Sequence, residues 1–127
     1  MLKECINIRQ IKGERKRRWF SNDYFDLIVW FDEGLFYEDE KIFGFQLCYD
    51  INKFERALTW RKDSGYSHNR ISSGEYGGLR MKESPILVQD GFFQKREIAA
   101  RFLKESAELD PRIRIFILRK IKEYKWI

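Results

Sequence analysis

The sequence has few cysteines, prolines, histidines and glycines, and it contains no long apolar run. Its 127 residues include two cysteines, two prolines, one histidine and eight glycines. Two cysteines do not make a disulfide-rich secreted scaffold, so thiols in a reducing compartment are expected. No stretch approaches about 18 consecutive apolar residues, so no membrane-spanning helix is predicted. No apolar segment of a signal peptide follows Met1, and the cytoplasm is therefore the predicted location.

Aromatic and apolar residues are abundant in the remaining composition. Hydrophobic residues make up 43% of the chain and aromatic residues 17%. Disordered chains are poor in aromatic residues, so a folded protein is expected. The length suits one core, and the sequence therefore predicts a single domain over 1–127.

The first part of the chain has the rhythm of strands joined by turns. Tyr24–Phe31 is β-branched and aromatic and is apolar on both faces except at Asp26, which predicts a strand in the centre of the sheet. Ile42–Tyr49 alternates between large apolar and smaller or polar residues, and Ile6 with Ile8 alternates in the same way. Turn signals recur about every 8–12 residues, which is typical of an antiparallel meander.

The last part of the chain has a helical period. Ile98, Ala99, Phe102 and Leu103 fall on one helical face. A second helix is predicted after Asp110-Pro111, because aspartate caps helices and proline suits the first helical position. The predicted fold class is therefore α+β: a β-meander of about five to six strands, with two C-terminal α-helices on one face.

Several segments of the chain resemble a family of small, uncharacterised bacterial proteins. The similar segments are Arg17-Arg18-Trp19-Phe20, Phe25-Asp26-Leu27-Ile28-Val29-Trp30, Gly44-Phe45-Gln46-Leu47-Cys48-Tyr49-Asp50, Ala57-Leu58-Thr59-Trp60, Ser84-Pro85-Ile86-Leu87 and Arg101-Phe102. The resemblance covers most of the chain and implies a bacterial, single-domain product. It implies no activity and no site residues.

No motif in the sequence specifies a reaction, a cofactor or a metal. The chain has no HxxxH, CxxC or GxSxG pattern, and its Ser/Gly-rich segment Ser72–Gly78 lacks the order of a phosphate-binding loop. His68 suits acid–base chemistry by its type. In the polar segment Tyr66–Arg70, however, a histidine is more typically an exposed or edge-strand residue than a catalytic base. We therefore predict no catalytic residue, no metal site and no cofactor.

A polar cluster on the sheet is one candidate site. Strand parity can bring five polar residues to one face, opposite the large aromatic residues, where they would form the floor of a polar or anionic ligand pocket. These are Asp26, Gln46, Arg56, His68 and Arg70, with Thr59 an alternative to Arg56. An unpaired buried Asp26 would be costly, so Arg18 or Arg56 is its expected partner. The alternative is an ion pair or a solvated sheet face.

A basic segment is the second candidate site. Arg15, Lys16, Arg17 and Arg18 precede Trp19-Phe20. Cations bind phosphates and aromatic rings stack on bases, so this mixture is found on nucleic-acid-binding surfaces. The alternative is a solvated hairpin flank with core aromatic residues, and no recognisable nucleic-acid-binding module accompanies the segment.

The sequence favours a non-catalytic binding or interaction module over the other classes of function. The acidic segment Asp32–Glu40 and the basic segment Arg9–Arg18 carry opposite charge, so two copies could recognise each other and form a homodimer through the exposed side of the sheet. The alternatives are a small-ligand-binding protein or enzyme with a polar pocket, and a protein associated with nucleic acid through the segment 9–18.

Overall fold

The computed structural model describes residues 1–32, 41–72, 86–89 and 93–125. Two features of the sequence lie outside these residues: most of the acidic segment Asp32–Glu40, and the Ser/Gly-rich segment after Ser72.

The described strands form one antiparallel sheet in chain order, which confirms the predicted meander. The sheet has seven strands, one more than the upper end of the expected five to six. The strands are β1 (Lys3–Glu4), β2 (Lys16–Ser21), β3 (Phe25–Phe31), β4 (Ile42–Tyr49), β5 (Arg56–Arg61), β6 (Gly65–Ser72) and β7 (Ile86–Gln89).

Burial alternates along β3 with the two-residue period of a strand. Phe25, Leu27, Val29 and Phe31 are buried, and the residues between them are only half-buried. The prediction that this strand lies in the interior of the sheet is confirmed. The strand is interior because β2 and β4 flank it, but helices cover only one of its faces.

Short polar side chains end the strands where turns were predicted. The Asn22 side-chain oxygen accepts hydrogen bonds from the backbone N–H groups of Tyr24 and Phe25, which fixes the β2–β3 turn. The predicted strand at Ile6 and Ile8 does not form. Asn7 has a φ of 61°, a left-handed conformation that interrupts an extended chain, and Ile6 is 82% exposed.

The side chain of Gln10, rather than a neighbouring strand, pairs with the backbone of β2 at Arg17. The side-chain amide of Gln10 donates to the Arg17 carbonyl oxygen at 2.7 Å and accepts from the Arg17 backbone N–H at 2.9 Å. Both main-chain groups of Arg17 are thus satisfied by one residue, as a neighbouring strand would satisfy them.

The two predicted helices are present as α1 (Lys95–Glu105) and α2 (Pro111–Glu123). Asp110 caps α2 as expected, because its side chain accepts from the Arg112 backbone N–H at 3.0 Å. Leu103 does not belong to the buried face of α1, since it is 49% exposed. No helix among the described residues has the length and apolar character needed to cross a membrane.

One core lies between the helices and one face of the sheet. Its buried residues come from the odd-numbered positions of β3 and β4 and from the apolar stripes of both helices, and include Leu27, Val29, Phe45, Leu47, Phe102, Ile113, Ile117 and Ile121. The helices therefore lie on the face formed by these positions, and the alternate positions form the opposite face.

Candidate binding surface

The face of the sheet opposite the helices carries partly exposed aromatic, aliphatic and polar side chains. We call it the open face. The register places the following residues on it: Arg17, Trp19, Ser21, Asp26, Ile28, Trp30, Gly44, Gln46, Cys48, Ala57, Thr59 and Arg61. Most of their side chains are half-buried. They form three rows across β2 to β5.

The first row, the cationic row, consists of Arg17, Trp30, Gly44 and Arg61. The missing side chain at Gly44 lets the Arg61 guanidinium approach the Trp30 ring, with 5.4 Å between the guanidinium carbon and the ring centroid. A Cβ at Gly44 would lie 2.5 Å from the Trp60 carbonyl oxygen. Glycine is therefore required here by close backbone approach.

A β-bulge adds Phe43 to the same end of the open face. The register shifts at Trp30/Phe31, so that Phe43 lacks the core contacts of the other odd-numbered residues of β4. The Arg15 guanidinium carbon lies 3.5 Å from its ring centroid and the Arg61 carbon 5.2 Å away. Stacked guanidinium groups thus cover an otherwise apolar ring.

Asp32 anchors two cations at this end of the sheet. The Lys62 Nζ lies 2.5 Å from the Asp32 Oδ2, and the Arg15 Nε lies 3.4 Å from its Oδ1. The hydrogen bond from Lys62 is the main cause that lowers the pKa of Asp32, and Arg15 adds to it. The carboxylate therefore stays ionised and fixes Arg15 over Phe43.

The second row, the central row, consists of Trp19, Ile28, Gln46 and Thr59. Gln46 donates from its Nε2 to the Thr59 Oγ1 at 3.1 Å. Apolar side chains occupy β2 and β3 in this row and a hydrogen-bonded polar pair occupies β4 and β5. Interfaces between proteins have this mixed character, with tryptophan enriched at their centres.

The third row, the acidic row, consists of Ser21, Asp26, Cys48 and Ala57. The Trp19 indole N–H donates to the Asp26 Oδ1 and joins this row to the central row.

Burial and the nearby Asp26 and Glu4 charges raise the pKa of the Cys5 thiol, so its reactive thiolate is disfavoured. Both cysteines are free thiols.

The five residues of the predicted ligand pocket do not share one face. Asp26 and Gln46 lie on the open face, whereas Arg56, His68 and Arg70 lie on the side of the helices. Arg56 pairs with Tyr49 in the register and Arg70 pairs with Arg56. The assumption of a shared face is thus corrected, because the true register differs by one residue from the assumed one. Thr59, the alternative to Arg56, does join Gln46.

His68 is a core residue, and the expectation of an exposed histidine is wrong. It is 4% exposed, and its Nε2 lies 2.6 Å from the Tyr49 hydroxyl oxygen. The rings of Phe93 and Tyr124 pack against it with centroid distances of 5.1 and 6.4 Å. Its enclosure by three aromatic rings favours a structural role over general-base chemistry on an external substrate.

The expected arginine partners of Asp26 are located elsewhere. Arg18 forms a bidentate contact with Glu4, with distances of 2.7 and 2.9 Å, and lies 3.7 Å from Asp110. Arg56 faces the helices. The donor that the register brings to Asp26 is the indole of Trp19, which sits on the adjacent strand.

The register divides the four predicted nucleic-acid-binding residues between the two faces. Lys16 and Arg18 lie on the side of the helices, and Arg17 lies on the open face. Arg15 precedes β2 and stacks on Phe43 at the open face. The structure therefore does not bring these four cations together as one continuous phosphate-binding strip.

A cleft of about 570 Å³ lies beside β2, between residues 4–10 and the start of α2. Both basic and acidic side chains line this cleft, together with Cys5 and uncharged residues. The charged ones are Glu4, Lys16, Arg17, Arg18, Asp110 and Arg112. Arg18 joins Glu4 and Asp110 across it. The described residues contain no group of three His, Cys, Asp or Glu side chains placed to hold a metal ion.

The fold and the open face define an α+β protein with a seven-stranded antiparallel meander, covered by helices on one side. No family model, curated protein or solved structure matches this chain.

Sequence reasoning missed the most prominent residues of the open face. Trp30, Ile28 and Arg61 were not assigned to any site, and Trp19 was assigned as a core aromatic residue or a base-stacking one. The signal was present in the alternation of β3, where Ile28 and Trp30 share parity with Asp26. It could be used only with the pairing between strands, which places these residues in rows.

Proposed function

We propose that this chain is a small non-catalytic binding module, and that the open face of its sheet binds a protein partner. The observation that carries the proposal is the partial exposure of two tryptophans and an isoleucine on a face that the described helices leave uncovered. Apolar groups rimmed by charged ones are typical of interaction sites.

The composition of the open face supports a protein partner. Tryptophan and arginine are enriched where binding energy is concentrated in protein interfaces. Arg61 stacks on Trp30, and Trp19 donates to Asp26, so these large side chains are held before binding. A preorganised surface loses less side-chain entropy when a partner binds. We further propose that the protein acts in the cytoplasm of a bacterium, in line with its resemblance.

The other classes of function have less support. A nucleic-acid partner would meet the Asp26 carboxylate within the face, and the register divides the predicted phosphate-binding cations between the two faces. An enzyme would need acid–base groups that a substrate can reach, whereas His68 is enclosed in the core. Binding without catalysis therefore fits the geometry best.

The experiment is site-specific photo-cross-linking in cells that produce the protein. A benzophenone amino acid replaces Ile28 on the open face, and in the matched control it replaces Ile115, which is 63% exposed on α2. The open-face probe is expected to form a protein adduct of defined mass that the control does not form. An adduct to nucleic acid, or equal labelling from both positions, would contradict the proposal.

A further inference from the structure

The distribution of charge on the open face indicates what covers it. We infer that its occupant is a second copy of this chain, related by a two-fold axis along the central row. The inference rests on the proposed function, because it names the partner of that same surface.

Two aligned face-to-face arrangements are compatible with two-fold symmetry. Packed sheets keep their strands within about 30° of each other, so the axis runs either along the strands or across them. An axis along the strands, placed between β3 and β4, exchanges β2 with β5. It sets Arg17 against Arg61 of the second copy, because both belong to the cationic row. This arrangement is disfavoured, since like charges across an interface repel.

An axis across the strands, along the central row, exchanges the cationic row with the acidic row. Arg17 then comes near Asp26 of the second copy, offset by one strand spacing of about 4.8 Å. An arginine side chain spans that distance. The Arg17 Nη2 already donates to the Arg9 carbonyl oxygen at 3.0 Å, so Arg17 would reach Asp26 with its other terminal nitrogen. Symmetry supplies the same pair twice, so each Arg17 meets an Asp26. A carboxylate has about four acceptor positions, so Asp26 can accept from Trp19 and from an arginine together.

The central row fits its own copy in this arrangement. Ile28 faces Ile28, which buries two aliphatic groups against each other. Gln46 faces Gln46, and primary amides both donate and accept, so the two side chains can bond to each other. Trp19 faces its own copy at the border of the row. Self-complementarity of this kind is what an isologous interface requires.

The size of the open face is sufficient for a specific but modest interface. The register continues the three rows onto β6 through Gly65, Ser67 and Asn69. Five strands and three rows of side chains cover about 24 by 20 Å, so two copies would bury about 1,000 Å² in total. This lies at the lower limit for specific protein interfaces. A dimer that dissociates on dilution is therefore expected.

The experiment measures self-association of four purified proteins, the wild type and three variants, by sedimentation velocity over a concentration series. Arg17→Glu places a carboxylate against Asp26 of the second copy, and Asp26→Lys places an ammonium group against Arg17. Each variant alone is expected to dimerise at least about tenfold more weakly than the wild type. Arg96→Glu, on the exposed side of α1, is the matched control and is expected to leave dimerisation unchanged.

Mixing the two charge variants provides the decisive measurement. A heterodimer of Arg17→Glu with Asp26→Lys has two attractive pairs, one with the natural signs and one with the signs exchanged. Association in the mixture is therefore expected to recover to near the wild-type level. Circular dichroism verifies the fold of each variant. If Asp26→Lys fails to fold, Arg17→Lys and Arg17→Glu replace it, with retained dimerisation expected for the first and loss for the second.

A wild-type chain that stays monomeric at all concentrations would overturn the inference. Dimerisation that resists both charge variants, or a mixture that does not recover, would also overturn it. The proposed function fails separately: an Ile28 adduct with a different protein would leave the binding module intact and exclude only the second copy.

Discussion

The two faces of this sheet place their large apolar side chains in different surroundings. On the side of the helices, Phe25 and Phe102 are fully buried and meet edge to face at a centroid distance of 5.8 Å. On the open face, Trp19 and Trp30 are half-buried, and each contacts a charged side chain. Burial against the protein itself stabilises the fold, whereas partial exposure preserves surface for a partner. Under the proposed function, stability and binding therefore depend on opposite sides of the same strands.

The largest expected effect tests whether side chains on the two faces contribute differently to the free energy of unfolding. Phe102→Ala removes a fully buried ring from the core and is expected to lower the free energy of unfolding by about 3–5 kcal/mol. Ile28→Ala on the open face is expected to cost only about 1 kcal/mol, because the side chain is half-buried. Urea denaturation followed by circular dichroism measures both.

A neighbouring position on α1 controls for a general effect on the helix. Leu103→Ala removes a side chain that is 49% exposed, and its cost should stay within about 0.5 kcal/mol. If Ile28→Ala were as destabilising as Phe102→Ala under dilute conditions, the open face would already be buried within the monomer.

A smaller effect compares the polar pairs of the two faces. Tyr49→Phe removes the 2.6 Å hydrogen bond to His68 inside the core, and its expected cost is about 1–3 kcal/mol. Thr59→Val removes the 3.1 Å bond from Gln46 on the open face, where water can replace it, so its cost should be below about 0.5 kcal/mol. Thermal unfolding of both variants measures the difference. Equal losses would show that burial does not separate the two pairs.

The smallest effect concerns Asp110, the residue that caps α2 on the side of the sheet that the helices cover. Burial raises the pKa of Asp110, but the hydrogen bonds and charge of Arg112, with Arg18, outweigh it and lower the pKa below its usual value. The unfolded chain therefore binds a proton more readily than the folded one. The stabilising contribution is present above about pH 4 and is lost as the pH falls through the folded pKa.

Two substitutions at Asp110 separate the cap from its charge. Asp110→Ala is expected to cost about 1 kcal/mol at neutral pH, because the Arg112 N–H loses its acceptor. Asp110→Asn keeps an acceptor but cannot titrate, so its difference from the wild type should shrink as the pH falls below about 4. Urea midpoints measured from pH 7 to pH 3 give both quantities, and a constant difference would contradict the assignment.

The sequence was sufficient to predict the elements of this fold, because each depends on local chemistry. The alternation of β4, the Asn22 turn and the Asp110-Pro111 helix start all involve residues within a few positions of one another. The short span of β1 was not predicted, because the left-handed Asn7 that ends the extended segment looks like an ordinary polar residue in an alternating run.

The site could not be predicted because it depends on register. Whether His68 shares a face with Gln46 or with Leu47 is decided by pairing across β5, and a shift of one residue reverses the answer. The bulge that moves Phe43 out of the core has the same effect within one strand. Such pairings link residues far apart in the chain, and no local pattern records them.

The side-chain amide of Gln10 has a consequence for how molecules of this protein can assemble with one another. Exposed main-chain groups at the border of a sheet act as a template for further strands, and growth from such a border has no natural end. At Arg17 that template is already occupied from within the chain. Addition of a strand is blocked at this position, whereas the proposed stacking of two open faces would be complete with two molecules.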